Sequence, residues 1–148
     1  KKNNISIEKV YDDENLYVLG NQDELIQVFS NIIENSIKYA NENSKIRIKL
    51  RILEDKNNDH SVNRLFQYNY AIIELIDESE GIPKKHLHRL TERFYRVDEA
   101  RSKAKGGTGL GLTIVKHILN KHRGSLDIES EINKGSIFTI KIPVAPIT

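Results

Sequence analysis

The stretch GGTGLGL, residues 106–112, is the most informative part of this sequence of 148 residues. Small residues let backbone amides approach phosphate oxygens, and an amphipathic helix is predicted to begin directly afterwards. A Walker loop starting at Gly106 would need lysine at position 112, and a Rossmann fingerprint starting at Gly107 would need glycine there, but the residue is Leu112. Both motifs also follow a strand, whereas a basic loop precedes this stretch. It therefore predicts a phosphate-binding loop of a different kind, and a flexible glycine linker is the alternative.

The residues on either side predict a charged loop before this stretch and a helix after it. Residues 93–107 carry many charges and little apolar periodicity. The helix that follows has apolar residues at helical spacing, and Gly124 is placed to end it. Two strands then follow, at 125–130 and 136–143, joined by a turn at 133–135.

The N-terminal residues predict a hairpin and a long helix. Strand candidates at 5–10 and 16–19 flank an acidic turn, which is typical of a short hairpin. Asn21 followed by Glu24 resembles a capping box, and apolar residues then recur at helical spacing to about Ala40.

The middle of the chain predicts two strands and a short helix. Residues 46–52 alternate apolar and basic side chains, which indicates a strand with one buried face. Residues 54–63 are polar enough for a loop, residues 70–77 are apolar enough for a central strand, and Pro83 suits the first turn of a helix. We therefore expect an α+β fold, a two-layer α/β sandwich of a mixed, mostly antiparallel sheet and three helices, in one domain over residues 1–148.

The composition excludes several classes of function. Hydrophobic residues make up 38% and charged residues 30%, which is typical of a soluble globular domain, and no apolar stretch is long enough to span a bilayer. Without cysteine there are no disulfides or thiolate metal sites, and the histidines lack the spacing of a zinc site. A net charge of +2 is too small to indicate nucleic-acid binding. We expect neither nucleic acid nor a membrane as a partner of this domain.

Two groups of polar residues are candidates for chemistry. Asn31, Asn35 and Lys38 recur along one side of the long helix, where amide oxygens can coordinate Mg²⁺ and an ammonium can contact phosphate. A solvated helix face is the alternative. Asp77 shares its strand parity with the apolar Ile73, so its carboxylate should point between sheet and helices, where it needs a donor such as an adenine amino group. The alternative is a carboxylate that caps the short helix.

Taken in order, these segments resemble the nucleotide-binding boxes of sensor histidine kinases, within the superfamily shared with gyrase, the ninety-kilodalton heat-shock chaperone and the mismatch-repair ATPase. The amino-acid sequences of these segments are similar to those of the phosphate-regulon sensor subgroup. The matching segments are NIIENSIKYA (31–40, asparagine box), DESEGI (77–82, first glycine box), LTERFYRVD (90–98, phenylalanine box), GGTGLGL (106–112, second glycine box) and KGSIFTIKIP (134–143, closing hairpin).

The resemblance implies a Bergerat-type ATP-binding fold, with ATP and Mg²⁺ as cofactors and these roles. Asn35 would be the metal ligand, Asn31 and Lys38 would act with it in catalysis and phosphate binding, and Asp77 would receive the adenine amino group. Phe94 would anchor one end of the lid. The other residues implied to contact the nucleotide are Tyr39, Gly81, Ile82, Arg96, Lys105, Gly107, Thr108, Gly109, Leu110, Gly111, Leu112 and, through water, Thr139.

The same resemblance implies transfer of the ATP γ-phosphate to a histidine on a separate dimerisation segment, which this chain does not contain. The lid residues Arg101, Lys103 and Lys105 would sense the γ-phosphate. The partners would be the chain's own dimerisation segment and a response regulator. The domain would lie in the cytoplasm as part of a membrane-anchored protein.

One residue departs from the family pattern, because Ser79 replaces the first glycine of the first glycine box. If the backbone there needs a positive φ, serine costs about 1–2 kcal/mol, and if it lies against the base, serine blocks the ring. A nucleotide-binding or interaction module without catalysis is therefore an alternative. A gyrase-like or chaperone-like ATPase is another, although Asn31 stands where those enzymes use a glutamate to activate water.

Overall fold

A computed structural model describes residues 4–10, 17–53, 69–82, 84–87, 89 and 111–144. Within these ranges the chain forms a five-stranded sheet in the order β1-β2-β3-β5-β4 and three helices. The elements are β1 (Ser6–Val10), α1 (Gln22–Tyr39), β2 (Lys45–Leu53), β3 (Tyr70–Asp77), α2 (Lys84–Leu87), α3 (Gly111–Lys121), β4 (Ser125–Glu131) and β5 (Gly135–Pro143). β1 and β2 are parallel and the other neighbours are antiparallel, which confirms the mixed, mostly antiparallel sheet.

The core lies between one face of the sheet and the helices α1 and α3. Every second residue of β5 points into it, as the buried Phe138, Ile140 and Ile142 show. Val28 and Ile32 of α1 pack against them, together with Val115, Ile118 and Leu119 of α3. Each fully buried side chain of this size contributes about 1.5–3 kcal/mol to folding. The predicted apolar faces of both helices are therefore confirmed.

The start of α1 is held by the end of α3. The Asn21 side chain accepts a hydrogen bond from the Glu24 amide (3.0 Å), as expected for an N-cap. In a capping box the Glu24 side chain would accept from the main-chain amide of Asn21. Here that amide donates to Nε2 of His122 (3.0 Å), and Glu24 pairs with Lys121 (2.8 Å). The His122 Nδ1 lies 2.8 Å from the Ile118 carbonyl oxygen. These contacts fix the relative position of the two helices.

The predicted N-terminal hairpin is wrong. β1 pairs in parallel with β2, with Ile7 opposite Ile46, and residues 17–20 are not in a strand. Pairing with β2 extends the main sheet, which a separate two-stranded hairpin could not do, and isolated hairpins are marginally stable at best.

The end of α3 also differs in detail from the expectation for Gly124. Arg123 takes the left-handed conformation (φ 59°), and the Gly124 amide donates to the Leu119 carbonyl (2.7 Å). Gly124 is needed there because a β-carbon would overlap the carbonyl oxygen of Lys141 in β5. The predicted loop at 54–63, Pro83 and the charged loop at 93–107 lie outside the described residues.

Candidate functional site

Asp77, the last residue of β3, is a buried carboxylate and forms the centre of the site. Its side chain faces the helices and the residue is 4% exposed. Ser136 is the residue of β5 directly opposite Asp77, and its main-chain amide donates to Oδ1 at 3.1 Å. Burial raises the pKa of the Asp77 carboxyl above its ordinary value, and hydrogen bonds from the Ser79 hydroxyl and the Ser136 amide oppose this effect. A carboxylate has room for about four hydrogen bonds, so a further donor can be accommodated.

The helix α1 places a second buried group beside this carboxylate. Ser36 is 1% exposed, and its hydroxyl helps to lower the pKa of Asp77. Its oxygen nevertheless makes no hydrogen bond of standard geometry to any described residue. The site therefore contains a second buried hydroxyl beside the Asp77 carboxylate.

Ser79 fits the loop after β3 without backbone strain. Ser79 does not have a positive φ, so the left-handed conformation that would cost serine free energy is absent. Among the described residues, the non-glycine residues with positive φ are Asn43, Arg123 and Asn133. Its backbone forms an antiparallel bridge with Ala40, just after α1. Its hydroxyl accepts from the Gly81 amide (3.2 Å) and interacts with the Asp77 carboxylate. Ser79 is 6% exposed, so its side chain lies in the packed wall of the site.

The turn at the tip of the β4–β5 hairpin holds the loop after Asp77. Gly81 has φ 79°, and a β-carbon there would overlap the Glu131 carbonyl oxygen. The Asn133 amide donates to the Glu80 carbonyl, and the Ile82 amide donates to the Ser130 hydroxyl, both at 2.7 Å. This close approach explains the glycine at position 81.

Gly135 allows the other close approach between the loop and the hairpin. Its φ is 111°, and a β-carbon there would overlap the carbonyl oxygen of Asp77. The Ser130 hydroxyl donates to the Gly135 carbonyl (2.9 Å) and lies 2.8 Å from the Ser136 hydroxyl. The hairpin thus fixes both the backbone and the carboxylate of Asp77.

The polar residues of α1 that were predicted to belong to the site lie on both sides of Ser36 in the sequence. Asn31 Nδ2 donates to the carbonyl oxygen of Gly111, the first residue of α3, at 3.4 Å. Asn35, Lys38 and Tyr39 are half-buried. From Asn31 to Ser36 is five residues, about 7.5 Å along the helix axis. α1 therefore connects the start of α3 with the buried carboxylate.

The structure does not bring Thr139 to this site. Thr139 lies opposite Glu74 and Asp127 and alternates with the buried Phe138 and Ile140, so its side chain is on the sheet face that is turned away from the helices. Leu112 is in α3 and packs against the core, and Ile82 is half-buried beside the hairpin.

The remaining predicted site residues fall outside the described residues. They are Phe94, Arg96, Arg101, Lys103, Lys105, Gly107, Thr108, Gly109 and Leu110. Within the ranges that are described, no three His, Asp or Glu side chains gather in a way that could hold a metal ion.

Comparison with known proteins identifies the family. Residues 20–146 match the family described as histidine kinase-, DNA gyrase B-, and HSP90-like ATPase. This chain belongs to that ATPase family. The family match covers the residues around Asp77 and Ser36.

The similar curated relatives of this ATPase domain are sensor histidine kinases. It is 42% identical over 128 residues to the phosphate regulon sensor protein PhoR of Pseudomonas aeruginosa, which covers 86% of this chain and 26% of that protein. It is 40% identical over 129 residues to PhoR of Haemophilus influenzae, with 87% and 27% covered. It is 37% identical over 131 residues to the sensor histidine kinase WalK of Bacillus subtilis, with 88% and 20% covered. The chain spans about a quarter of the length of these relatives.

Solved structures with the same fold are also histidine kinases. The mycobacterial sensor histidine kinase MprB superposes with a TM-score of 0.74 at 24% identity, covering 97% of this chain and 85% of that chain. The catalytic domain of histidine kinase ThkA gives 0.68 at 25% identity, with 97% and 81% covered. Full-length ShkA in complex with AMPPNP gives 0.72 at 20% identity, with 97% and 26% covered. These likenesses confirm the predicted α+β fold. None of the helices in the described ranges is both long and apolar enough to cross a membrane.

Three residues of the ATPase site were missed from the sequence. They are Ser36, Ser130 and Ser136, which surround Asp77 or hold its loop. The signal for Ser136 was present, because it shares the strand parity of the apolar Phe138. It could be used only once β5 was known to lie beside β3 in this register. Ser36 lies next to Asn35 and gave no separate signal.

Proposed function

We propose that residues 1–148 form one catalytic and ATP-binding domain of a two-component sensor histidine kinase. Its reaction is transfer of the ATP γ-phosphate to a histidine on a separate dimerisation segment. The observation that carries this proposal is the buried Asp77 carboxylate, held by the Ser136 amide at 3.1 Å and open to one more donor.

Asp77 recognises the adenine base through its exocyclic amino group. A buried carboxylate that keeps free lone pairs is costly, and an amino group supplies the missing hydrogen bond. The structure of ShkA, which has the same fold, contains AMPPNP, and this supports an adenine nucleotide as the ligand. Ser79 is compatible with this role because its hydroxyl belongs to the same hydrogen-bonded wall. Tyr39, at the end of α1, borders the base.

Asn31, Asn35 and Lys38 act on the phosphate side. The Asn35 amide oxygen is a suitable ligand for Mg²⁺, which usually takes one or two protein ligands together with phosphates. Bound Mg²⁺ would neutralise charge on the phosphates. Lys38 contacts phosphate oxygens, and the glycine-rich stretch 106–112 supplies backbone amides before α3. Catalysis by this domain consists of positioning and charge neutralisation.

The contact of Asn31 favours phosphotransfer to a protein over hydrolysis of ATP. Its amide nitrogen donates to the Gly111 carbonyl, so the side chain holds the start of α3. An amide is also no general base for activating water. A gyrase-like hydrolytic mechanism therefore lacks its activating residue at this position.

Calorimetric titration with Mg²⁺ and ATP tests the binding step, on the wild type and on Ser79→Gly. We expect binding by both proteins, since Ser79 has no positive φ. Binding by the glycine variant alone would identify Ser79 as a lesion, and binding by neither would favour an interaction module. A dimerisation segment supplied in trans should then acquire acid-labile phosphohistidine. Its absence, despite ATP binding, would contradict kinase activity.

The partners and location follow from the same proposal. The domain acts on its own dimerisation segment, and the phosphoryl group passes to a response regulator. It lies in the cytoplasm as part of a membrane-anchored sensor. Arg101, Lys103 and Lys105 belong to a lid that senses the γ-phosphate, and Arg96 contacts the nucleotide. Protease cleavage of the lid should differ between ATP and ADP, and identical cleavage would refute that role.

A further inference from the structure

The loop that follows Asp77 is held on both sides by backbone contacts. The carbonyl of Glu78 accepts a hydrogen bond from the chain just after α1 at 2.8 Å, and the carbonyl of Glu80 accepts one from the tip of the β4–β5 hairpin at 2.7 Å. The Gly81 amide differs, because its acceptor in the described part of the chain is a side chain, the Ser79 hydroxyl, at 3.2 Å. The conformation of this turn therefore depends on a hydroxyl group.

The side chains of Asp77 and Ser79 point to the same side of this segment. Burial alternates along it, since Glu78 and Glu80 are exposed while Asp77 and Ser79 are buried, as expected for an extended chain. Burial raises the pKa of Asp77, and the hydrogen bond from the Ser79 side chain is the largest of the contributions that oppose this rise. Since an ionised carboxylate accepts and does not donate, the hydroxyl is the donor in this bond.

One hydroxyl therefore serves two groups of the site. Its oxygen accepts from the Gly81 amide, and its hydrogen is donated to the Asp77 carboxylate. Glycine, which the family pattern has in place of Ser79, can make neither bond. The hydroxyl also leaves room for a ligand on the carboxylate, because a carboxylate accepts about four hydrogen bonds.

We propose that Ser79 is a positioning residue for nucleotide binding, whose hydroxyl fixes the Asp77 carboxylate and the turn at Gly81 in the arrangement that receives the base. The inference rests on the proposed binding of adenine nucleotides. Ser79 acts through Asp77 and does not itself contact the base. An acceptor that is already fixed loses little conformational entropy when the ligand binds, whereas a loose one must first be ordered. Replacement of Ser79 by glycine should therefore weaken binding, whereas a damaged site would be repaired by glycine.

The test is calorimetric titration of Mg²⁺–ADP into the wild type, Ser79→Ala and Ser79→Gly. Loss of one hydrogen bond weakens binding about 2- to 10-fold. We expect both variants to bind ADP weaker by about this factor near pH 7. The glycine variant should be the weaker of the two, because its backbone is also less restricted. Ser79→Ala isolates the hydroxyl, and Ser79→Gly, the residue of the family pattern, gives the same comparison if the alanine variant does not fold.

The pH dependence of binding separates a positioning role from a loss of stability. The groups that act on the Asp77 carboxylate are the Ser79 hydroxyl in its own loop, the Ser136 amide in β5 and the Ser36 hydroxyl in α1, and none of them is ionisable near neutral pH. Without the Ser79 hydroxyl the pKa of Asp77 should rise further. Protonation replaces an acceptor by a donor, so both variants should lose affinity for ADP at a higher pH than the wild type does. Carbon NMR of the Asp77 carboxyl without nucleotide should likewise show titration at a higher pH in both variants.

Ser44→Ala is the matched control. Ser44 is as deeply buried as Ser79, and its hydroxyl also makes a hydrogen bond to the backbone, at 2.6 Å to the Asn41 carbonyl. In urea unfolding it should lose a similar amount of stability to Ser79→Ala. It should leave the affinity for ADP and the titration of Asp77 unchanged, because its hydroxyl contacts neither Asp77 nor the turn at Gly81.

Three outcomes would overturn the inference. The first is a Ser79→Gly variant that binds ADP as tightly as the wild type or more tightly, which leaves the proposed function intact. The second is weaker binding with an unchanged titration of Asp77, or with equal weakening in Ser44→Ala, because the effect would then not act through the carboxylate. The third is a wild type that binds no ADP, and this alone would also refute the proposed function.

Discussion

Replacement of Gly81 by alanine should destabilise the domain and weaken binding of adenine nucleotides. The φ of Gly81 is 79°, and a β-carbon built there would overlap the Glu131 carbonyl oxygen and lie 2.6 Å from its carbon. The left-handed conformation costs a non-glycine residue about 1–2 kcal/mol. Relief of the overlap would separate the loop from the hairpin and strain two hydrogen bonds, both 2.7 Å long. Each contributes about 1 kcal/mol.

The total destabilisation from Gly81→Ala is about 2–4 kcal/mol, offset by about 0.4–1 kcal/mol because alanine restricts the unfolded chain. This is a large part of the usual stability of about 5–15 kcal/mol. The net loss of about 1–3.6 kcal/mol corresponds, at about 2–4 °C per kcal/mol for a domain of this size, to a fall in Tm of about 2–14 °C. Because Gly81 lies only four residues after Asp77, affinity for ATP should fall as well.

Gly111→Ala is the matched control for the stability measurement. Gly111 is the first residue of α3, and a β-carbon there meets no atom of the described residues within 4 Å. It should raise stability by about 0.4–1 kcal/mol. Urea unfolding followed by circular dichroism, without nucleotide, measures both variants. If Gly81→Ala is as stable as Gly111→Ala, the close packing of loop and hairpin is not what holds the site.

Three further predictions concern the site and the contact between α1 and α3. Burial raises the pKa of Asp77 in the folded chain, so its contribution to stability is complete below the unfolded pKa and is lost as pH rises through the raised value. Asp77→Asn should therefore gain more stability relative to wild type at pH 7 than at about pH 3.5; equal differences in urea unfolding at both pH values would contradict this. Since a carbonyl only accepts, His122 should carry its proton on Nδ1 and accept the Asn21 amide at Nε2. Nitrogen NMR should find that tautomer, and the Nε2–H form would refute it. Ser130→Ala removes the acceptor of the Ile82 amide, and we expect a loss of about 1–2 kcal/mol in thermal unfolding, with no loss arguing that water replaces the hydroxyl.

The contrast between β3 and β1 shows what can be predicted from a sequence. β3 was predicted at 70–77 and found at Tyr70–Asp77, because its apolar run and its end are local features. β1 was also predicted correctly as a strand, but its partner was wrong. Pairing with β2 joins residues 39 apart in the chain, such as Ile7 and Ile46, and local patterns do not specify such a partner.

The amino-acid sequence by itself determined the elements, the order of the nucleotide-binding boxes and the inward direction of Asp77. Helical and strand periodicity, and short motifs, are properties of neighbouring residues. Only the tertiary structure decided that Thr139 faces away from the site, that Ser79 is unstrained and that Ser36 is buried beside Asp77. These facts depend on which strand lies beside which, and on which distant atoms fill the space around a side chain, because hydrogen-bond partners and overlaps are set by contacts between segments remote in sequence.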